Sequence, residues 1–474
     1  MGVISVKGID VVQKNQPQLD PGFVSITAFS KSFLESAKDG VPVVLALKRD
    51  GGQVSRYDTK VHGTADKFDA DLLYIEKTVK MLLWAAGGYE VYICGGDAVK
   101  KIAYETAKIY AAGGAHEFDN EFMTRVYENK FSVIYKPLDE APAEVSSPKP
   151  IGGNDKGCRI GFDAGGSDRK VSAVVDGEAV YDEEVLWLPK ENTDPEYHYN
   201  EILTAFRTAA GKMPRVDAIG VSSAGIYVDN RTAVASLFNK VPLDLFNAKV
   251  KDIYIRAAKA IADEQGKDSL PLVVANDGDV SALAGALSLG DGEVLGIAMG
   301  TSEAVGYVNQ DKYVTGWLNE LSFAPFDLGK DATYDEWSGD NGTGNKYFSQ
   351  DAVIKLAPKV GFEFPEGLTL AKKLKFVQNL TENGTDEEKE KGAAIYRTIG
   401  AYFAHAVAYY AEFYEVRHIL LLGRVMSGRG GDILLETTKQ VLADEYPDVN
   451  KNISLDLPDE KFRRLGQSVV ASTL

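Results

Sequence analysis

Short apolar segments alternate with longer amphipathic ones along most of this chain, and this alternation restricts its fold more than any other feature. Four short segments have the composition of buried strands: Arg159–Asp163, Asp217–Val221, Leu272–Ala275 and His418–Leu422. Helical apolar spacing is found between them, for example over Tyr197–Ala210 and Glu387–Tyr414. Strands that alternate with helices of this length are typical of α/β proteins. We therefore predict an α/β fold.

A proline-rich segment divides the chain. Residues 136–157 carry four prolines followed by Gly152 and Gly153, and they show no apolar periodicity. Segments of this composition behave as semi-extended linkers. We therefore predict an N-terminal unit over residues 1–135 and a larger unit behind the linker.

The N-terminal unit has an α/β pattern of its own. Val41–Val61 has the pattern of a hairpin, a helix is predicted near Tyr74–Ala86, and a strand from Tyr89 precedes a helix from Asp97. The strand segment YEVYICGG is similar to YEVRHILLLG, which starts at Tyr414. Two interpretations stay open, namely an unrelated accessory domain and a degenerate copy of part of the larger unit.

Charge and cysteine content exclude several classes of protein. The chain has 69 acidic and 52 basic residues, a formal charge of -17. Because such a surface repels phosphate backbones and anionic lipid, we expect neither nucleic acid nor a membrane as a partner. Cys94 and Cys158 are the only cysteines, which excludes a disulfide scaffold. The N-terminal segment lacks the apolar core of a secretory signal, so we expect a cytoplasmic protein.

Two short turns follow predicted strands. The first is Gly165, Gly166 and Ser167 behind Asp163, and the second is Gly300, Thr301 and Ser302. Backbone N–H groups in such turns can hold phosphate oxygens, because glycine permits a close approach. Plain hairpins would show the same sequence, so each turn alone leaves both interpretations open.

Two further segments carry polar groups to the start of a predicted helix. Asn276 and Asp277 follow a strand and precede an alanine-rich helix predicted from about Asp279 to Leu289, where unpaired N–H groups create a positive potential. Asp277 could act there as a general base, or Asp279 could simply cap the helix. The glycine-rich segment Gly423–Gly431 lies between another strand and a helix predicted from about Asp432, an arrangement that can bind an anion or close over a nucleoside.

Together these segments resemble the nucleotide site of the actin–hexokinase–heat-shock-chaperone superfamily, and within it the ROK sugar kinases most closely. The two turns match the two phosphate loops, Leu420–Gly431 matches the adenosine segment, and Asn276-Asp277 matches the catalytic Asn-Asp pair. AIGVSSAGIYVDNR from Ala218 is similar to the substrate loop, and KFRRLGQSVVAST resembles the closing helix.

The resemblance covers about Arg159–Leu474 and implies a fold as well as a site. The implied architecture is the two-lobed actin-like ATPase (ribonuclease H-like) fold, with an additional N-terminal α/β domain. The first lobe would span residues 158–275 and the second residues 276–474.

The sequence departs from the ROK pattern on the acceptor side. WLNELSFAPF keeps Glu320 of the family's sugar-binding segment but has Phe323 in place of a histidine. In GDNGTGNKYFS, Thr343 replaces a zinc-binding cysteine and Asn345 replaces a second sugar-binding glutamate. Without a cysteine in this loop, we expect no structural zinc. Arg424 also stands where the adenosine motif has a glycine.

The resemblance implies an ATP-dependent kinase that phosphorylates a hydroxyl of a sugar or sugar-like small molecule. Asp277 would be the catalytic base, and Asp163 would hold Mg²⁺ through water. The implied phosphate contacts are Asp163, Gly165, Gly166, Ser167, Gly300, Thr301 and Ser302. The implied adenosine contacts are Gly423, Arg424, Ser427 and Gly428. The implied acceptor contacts are Asn276, Glu320 and Asn345, with Asp340 as a weaker one.

Two other functions stay open. A catalytically inactive sensor that binds ATP or a sugar would explain the missing histidine and glutamate of the acceptor side. A transcriptional repressor is the other, since some ROK relatives carry a DNA-binding head. Residues 1–135 offer hairpins and the acidic run HEFDNEF instead of a basic recognition helix. Whether the protein forms a homodimer is also left open.

Overall fold

The computed structural model describes residues 2–146, 151–458 and 466–474. Residues 147–150 of the predicted linker and residues 461–465 of the predicted closing helix lie outside the described residues. The chain forms two compact units. Unit 1 comprises Met1–Ser147, Ile297–Val305 and Trp317–Asp456, and unit 2 comprises Pro148–Gly296, Gly306–Gly316 and Leu457–Leu474.

The strands of the described residues are, in chain order, β1 (Gly2–Val6), β2 (Ile9–Gln13), β3 (Val41–Lys48), β4 (Val54–Val61), β5 (Glu90–Gly95), β6 (Ser132–Lys136), β7 (Cys158–Ala164), β8 (Asp168–Val175), β9 (Glu178–Leu186), β10 (Ala218–Ser223), β11 (Ile226–Val228), β12 (Arg231–Val234), β13 (Leu272–Asn276), β14 (Val294–Met299), β15 (Glu303–Val308), β16 (His418–Leu422) and β17 (Ser454–Asp456).

The α-helices are α1 (Ile26–Ser36), α2 (Phe68–Ala85), α3 (Asp97–Ile109), α4 (Glu117–Tyr127), α5 (Pro195–Ala210), α6 (Leu243–Leu245), α7 (Ile253–Glu264), α8 (Asp277–Leu289), α9 (Gln350–Leu356), α10 (Leu370–Asn383), α11 (Asp386–Tyr410), α12 (Gly428–Glu445), α13 (Pro447–Asn452) and α14 (Gln467–Ala471). Within the described ranges, no helix combines the length and the apolar character that a membrane crossing requires.

Unit 2 is built on a five-stranded sheet in the order β13-β10-β7-β8-β9. The strands β7, β8 and β9 are antiparallel neighbours, whereas β10 and β13 run parallel to β7. The turn from β8 to β9 has positive φ at both Asp176 (47°) and Gly177 (85°), as a two-residue hairpin turn requires. This strand order and these directions are those of a ribonuclease H-like lobe, which confirms the predicted fold.

The helix α14 lies directly on the two central strands of this sheet. A Cβ atom at Gly161 would overlap the Ser468 carbonyl, and one at Gly220 would overlap the Ala471 carbonyl. Only glycine therefore lets the helix approach β7 and β10 so closely. On the other face, Phe162 packs edge-on against Phe206 of α5 in a core of buried aliphatic and aromatic side chains.

Unit 1 contains two four-stranded sheets. One has the order β15-β14-β16-β17, and the division between the units falls within β14 and β15. The other has the order β4-β3-β5-β6, in which β3 and β5 are antiparallel. The corresponding neighbours β7 and β10 in unit 2 are parallel. The two interpretations of residues 1–135, an unrelated accessory domain and a degenerate copy, both remain predictions.

Residues 1–146 pack closely against the C-terminal part of unit 1. The hydroxyl of Thr27 in α1 donates to the His405 carbonyl of α11 at 2.6 Å. The backbone N–H of Val24 donates to Asp327 Oδ1 at 3.0 Å, and the Phe23 ring lies 5.2 Å from that of Phe326. The predicted boundaries near residues 135, 157 and 275 remain predictions.

The predicted element types are confirmed, but several helix boundaries are wrong. Helix α2 begins at Phe68 instead of Tyr74. Helix α8 begins at Asp277 instead of Asp279, because Asn276 caps it by accepting the Gly278 N–H at 2.7 Å. Helix α11 ends at Tyr410 instead of Tyr414, because the N–H groups of residues 413 and 414 both donate to the Tyr410 carbonyl and close a turn. Helix α12 begins at Gly428 instead of Asp432.

Candidate functional site

In unit 2, three parallel strands bring the predicted polar residues to one edge of the sheet. Asp163 of β7 is opposite Ser222 of β10, and Ser223 of β10 is opposite Asn276 of β13. The hydroxyl of Ser222 donates to Asp163 Oδ1 at 2.9 Å. Asp277 follows directly as the first residue of α8. Because the carboxyl ends of parallel strands share an edge, Asp163 and Asp277 become neighbours.

The pKa values of both carboxylates at this edge are raised. Burial raises the pKa of Asp163 to about 6; the hydroxyl of Ser222 opposes this shift and the charge of Asp277 adds to it. Burial also raises the pKa of Asp277, while the N–H of Gly278, which lies 3.1 Å from its Oδ1, acts in the opposite direction. Two partly buried acids held side by side need a cation to stabilise their charged forms.

The glycine turn between β7 and β8 is held through its carbonyl groups. Trp187 donates its indole Nε1–H to the Gly165 carbonyl at 2.8 Å and its backbone N–H to the Ser167 carbonyl at 3.1 Å. Among the described residues, the N–H groups of Gly165, Gly166 and Ser167 donate to no backbone carbonyl outside the strand ladders. The turn is therefore fixed from behind while its donors stay available to an anion.

Lys190 is a residue of this site that the sequence interpretation missed. It lies in a short 3-10 turn, Pro189–Glu191. A Cβ atom at Gly166 would lie 3.2 Å from Lys190 Cε and 3.3 Å from its Nζ, so the side chain extends over the phosphate turn. Its positive charge also lowers the pKa of Asp277, although less than burial raises it. An isolated lysine in a loop carries no motif, so nothing in the sequence indicated it.

Asn276 links the start of α8 to the predicted substrate loop. Its Oδ1 caps the helix, and its Nδ2 donates to the Gly225 carbonyl at 2.7 Å. The same loop is anchored by Ser223, whose hydroxyl accepts hydrogen bonds from Tyr227 at 2.6 Å and Tyr254 at 3.0 Å. Asn276 thus fixes the loop position, and further hydrogen-bonding capacity remains on its amide.

In unit 1, the second glycine turn and the adenosine segment lie side by side. Arg424 Nη2 donates to Thr301 Oγ1 at 2.7 Å. Gly423, with a φ of 93°, sits so close to Met299 that any side chain there would overlap the backbone of β14. The Gly300 carbonyl accepts the Gln350 N–H at 2.9 Å, which ties the turn to α9.

Ser427 and Gly428, two residues of the predicted adenosine segment, stand at the start of α12. The side chain of Ser427 makes no capping hydrogen bond to α12, and Gly428 has a φ of 68°. The Ser427 N–H instead donates to the Arg424 carbonyl at 3.2 Å. Gly300, Thr301 and Ser302 are therefore brought together with Arg424, whereas contacts with a nucleotide remain predictions.

The predicted acceptor residues of unit 1 surround an acid that the sequence interpretation did not select. Glu303 is 3% exposed, and its backbone N–H donates to Asn345 Oδ1 at 3.3 Å. Burial raises the pKa of Glu303 to about 8; the hydroxyl of Tyr410 opposes this shift, and the charge of Glu320 adds to it. A carboxyl group thus lies beside Asn345, the position at which the family's second glutamate is missing.

Phe323 is enclosed by aromatic side chains of the N-terminal segment. Its ring centroid lies 4.6 Å from Trp84, 5.6 Å from Phe118 and 6.3 Å from Phe122. Such a cluster excludes water and stabilises the surrounding fold. The residue that replaces the family's histidine is therefore a core residue of unit 1.

The donors at the edge of unit 2 fit a magnesium ion. Carboxylate and hydroxyl oxygens are the ligands that Mg²⁺ prefers, with water completing its shell. Asp163 offers a carboxylate whose pKa is raised mainly by burial, and a bound cation would stabilise its charged form. In unit 1, His116, Asp119 and Asp340 place their ligand atoms within 4.8 Å of one another. Lys80 Nζ, however, already forms ion pairs with both of these aspartates.

No protein-family model and no curated protein sequence matches this chain. Among solved structures, the chain is similar to a ROK family transcriptional regulator, a homologue of the E. coli MLC protein, with a TM-score of 0.50 and 15% identity. That match covers 79% of this chain and 88% of the regulator.

ROK enzymes are also among the similar structures. A ROK hexokinase from Thermus thermophilus has 18% identity and a TM-score of 0.48. That match covers 67% of this chain and 97% of the hexokinase. A ROK family glucokinase from Streptomyces griseus, solved with glucose and AMPPNP, has 18% identity and a TM-score of 0.43. That match covers 67% of this chain and 98% of the glucokinase. At 15% identity the likeness to the regulator shows the fold alone, and the predicted resemblance to the ROK fold is confirmed.

Proposed function

We propose that this protein transfers the γ-phosphoryl group of ATP to a hydroxyl of a sugar or a sugar-like small molecule. The observation that carries the proposal is the register of unit 2, which places Asp163, Ser222 and Asn276-Asp277 at one edge of the sheet. Two neighbouring carboxylates beside a turn with available N–H donors are the groups that phosphoryl transfer requires.

Asp277 is the general base in this proposal. As the acceptor oxygen attacks the γ-phosphorus, its proton passes to the Asp277 carboxylate, the bond from the γ-phosphorus to the bridging oxygen breaks, and ADP leaves. A pKa raised by burial brings this carboxylate nearer to the working pH, where a general base is most effective. Its place at the start of α8, with the Gly278 N–H on Oδ1, fixes the orientation of the carboxylate.

Charge neutralisation and positioning provide the rest of the catalysis. A magnesium ion held by Asp163 through water would neutralise phosphate charge. The N–H groups of Gly165, Gly166 and Ser167 bind phosphate oxygens, and Lys190 adds a positive charge over the same turn. Asn276 holds the predicted substrate loop through the Gly225 carbonyl, so that this loop and the base keep a fixed geometry. Thr301 and Arg424 contribute to the nucleotide side in unit 1.

The direct test is ADP release from Mg-ATP across a panel of acceptors. The panel contains neutral hexoses, N-acetylhexosamines, amino sugars and polyols, and the control is Asp277→Asn. We expect one class of acceptor to stimulate ADP release in the parent and none to do so in the variant. If no acceptor in the panel increases ADP release by the parent, the proposed activity is wrong.

A catalytically inactive sensor of ATP or a sugar is the second function considered. The enclosed Phe323 and the replacement at Asn345 favour it, because both remove sugar-binding groups that the family uses. The fold does not discriminate, since a ROK transcriptional regulator shares it. A thermal-shift screen of the same panel with Mg-AMPPNP separates the two: a sensor is stabilised by a sugar that is never phosphorylated.

A further inference from the structure

Helix α2 of the N-terminal segment carries buried charges that the catalytic proposal does not use. Lys80 is 1% exposed and Asp119 is fully buried. Lys80 Nζ lies 2.7 Å from Asp119 Oδ2 and 2.5 Å from Asp340 Oδ2. The first contact lies within residues 1–146, whereas the second reaches the loop that carries Asn345. A buried ammonium thus joins the N-terminal segment to the predicted acceptor loop.

The surrounding groups complete a compensated network. Burial lowers the pKa of Lys80, but the charges of Asp119 and Asp340 outweigh it and raise the pKa overall. Burial also lowers the pKa of His116, but the contacts of His116 with Asp340 and Glu76 outweigh burial. The pKa of His116 is therefore raised overall. His116 Nδ1 lies 3.2 Å from Asp340 Oδ1. Both oxygens of Asp340 therefore face cationic groups of residues 1–146.

The same helix holds the second acceptor segment through its backbone. The carbonyl groups of Trp84, Ala85 and Ala86, at the end of α2, accept the N–H groups of Glu320, Asn319 and Leu318 at 2.9, 2.9 and 3.4 Å. The last carbonyls of a helix normally bond to water or to a cap. In this protein the segment that contains Glu320 satisfies them.

We propose that Lys80 is a positioning residue that, through Asp340, fixes the acceptor loop 338–345 relative to Glu320. The inference rests on the proposed function, and it assigns residues 1–146 a role as the support of the acceptor site. In this proposal Asp340 holds the loop through its oxygens, which lie against Lys80 Nζ and His116 Nδ1. A buried ion pair with satisfied partners is well suited to fix one geometry of a loop.

The test compares Lys80→Met and Asp340→Asn with Lys48→Met as a matched control. Lys48 is also paired, to Glu90 at 3.1 Å, but it lies in the N-terminal sheet. Asp340→Asn leaves the Lys80–Asp119 pair intact, so it keeps the test valid if Lys80→Met fails to fold. We expect both test variants to raise the KM of the best panel acceptor at least tenfold and to change the KM of ATP less than twofold. The control changes neither.

Hydrogen exchange in the absence of ligand gives an independent measurement. We expect faster amide exchange over residues 333–345 in both test variants, unchanged exchange over β7, and partial recovery in Lys80→Arg. A purely structural role would lower kcat through loss of folded protein and leave both KM values unchanged. Folded variants with unchanged acceptor KM and unchanged loop exchange would overturn the inference.

The failures of the two proposals are distinguishable. If the parent phosphorylates no acceptor, the proposed function fails, and loop exchange still decides whether Lys80 fixes the loop. Metal analysis is the last check. We expect purified protein to hold less than 0.1 equivalent of zinc, and a full equivalent that disappears in His116→Ala would show a metal at the place assigned to Lys80.

Discussion

The carboxylates of the two units are compensated in opposite ways. In unit 2, Asp163 and Asp277 lie together at a strand edge, and burial raises the pKa of each despite the opposing charge of a solvent-accessible lysine, Lys170 for Asp163 and Lys190 for Asp277. In unit 1, Asp340 is enclosed by Lys80 and His116. Acids that form no ion pair in the interior are available to a ligand. Acids that are ion-paired in the interior stabilise the fold. The comparison therefore separates groups that act on a substrate from groups that support the site.

The largest expected effect concerns the base in unit 2. A positioned general base contributes about a hundred- to ten-thousand-fold in rate, or roughly 3–5 kcal/mol. Asp277→Asn should therefore lower kcat by that factor and leave the Kd for Mg-ATP within about twofold, measured by ADP release and by calorimetry. Asp263→Asn, on the surface of α7, is the control. If Asp277→Asn turns over as fast as the parent, Asp277 is not the general base.

The next effect is a pH-dependent gain in stability from Asp163→Asn. The pKa of Asp163 in the folded protein is about 6, above its value in the unfolded chain, so folding favours the protonated form. The stability this form contributes is complete below about pH 4 and is lost as the pH rises through 6. The variant should therefore exceed the parent by up to about 3 kcal/mol at pH 8 and equal it near pH 4.

Urea unfolding at several pH values measures this difference. A gain that stays constant from pH 4 to pH 8 would mean that titration of Asp163 is not its cause. Addition of Mg-ATP to the parent should reduce the gap, because a cation at Asp163 stabilises the charged carboxylate.

A smaller effect is expected from the exposed cation of unit 2. Lys190→Met should raise the KM for ATP about tenfold, about 1.4 kcal/mol, and should raise it more at low than at high ionic strength. Lys240→Met, another exposed lysine of unit 2, is the control. An equal rise in the two variants would show a general loss of surface charge instead of a contact over Gly166.

The smallest effect concerns the nucleotide side of unit 1. Arg424→Ala removes the hydrogen bond to Thr301 Oγ1, and a hydrogen bond of a charged group contributes about 1.5–3 kcal/mol when buried and less when exposed. We expect a two- to fivefold rise in the KM for ATP in steady-state assays. Thr301→Val removes the partner and should have the same effect. A rise beyond tenfold in Arg424→Ala alone would indicate that Arg424 binds the nucleotide directly.

Local patterns were predictable from the sequence because they depend on neighbouring residues. The hairpin at Asp176-Gly177 follows from turn chemistry, and the strand His418–Leu422 follows from its apolar run. The sequence pattern predicts that α8 starts at Asp279, because Asp277 and Asp279 are both plausible caps. The structure shows that Asn276 is the cap.

Contacts between distant segments could not be predicted. The register that places Ser222 opposite Asp163 depends on parallel pairing, which the sequence does not encode locally. The burial of Phe323 depends on Trp84, and the charge of Asp340 is compensated by Lys80. Both partners lie in the N-terminal segment, for which the sequence suggested no role. Lys190 and Glu303 were missed for the same reason, since their significance lies in what surrounds them.

The hydrogen bonds at the end of α2 have a practical consequence for protein engineering. A shortened gene starting near residue 151 would retain every residue matched to the kinase pattern. It would nevertheless remove the α2 carbonyl groups that accept the N–H groups of residues 318–320, expose the Phe323 ring and remove Lys80, the cation paired with Asp340. Such a truncation should yield aggregated material instead of a minimal catalytic core, so crystallisation or directed evolution should begin from all 474 residues.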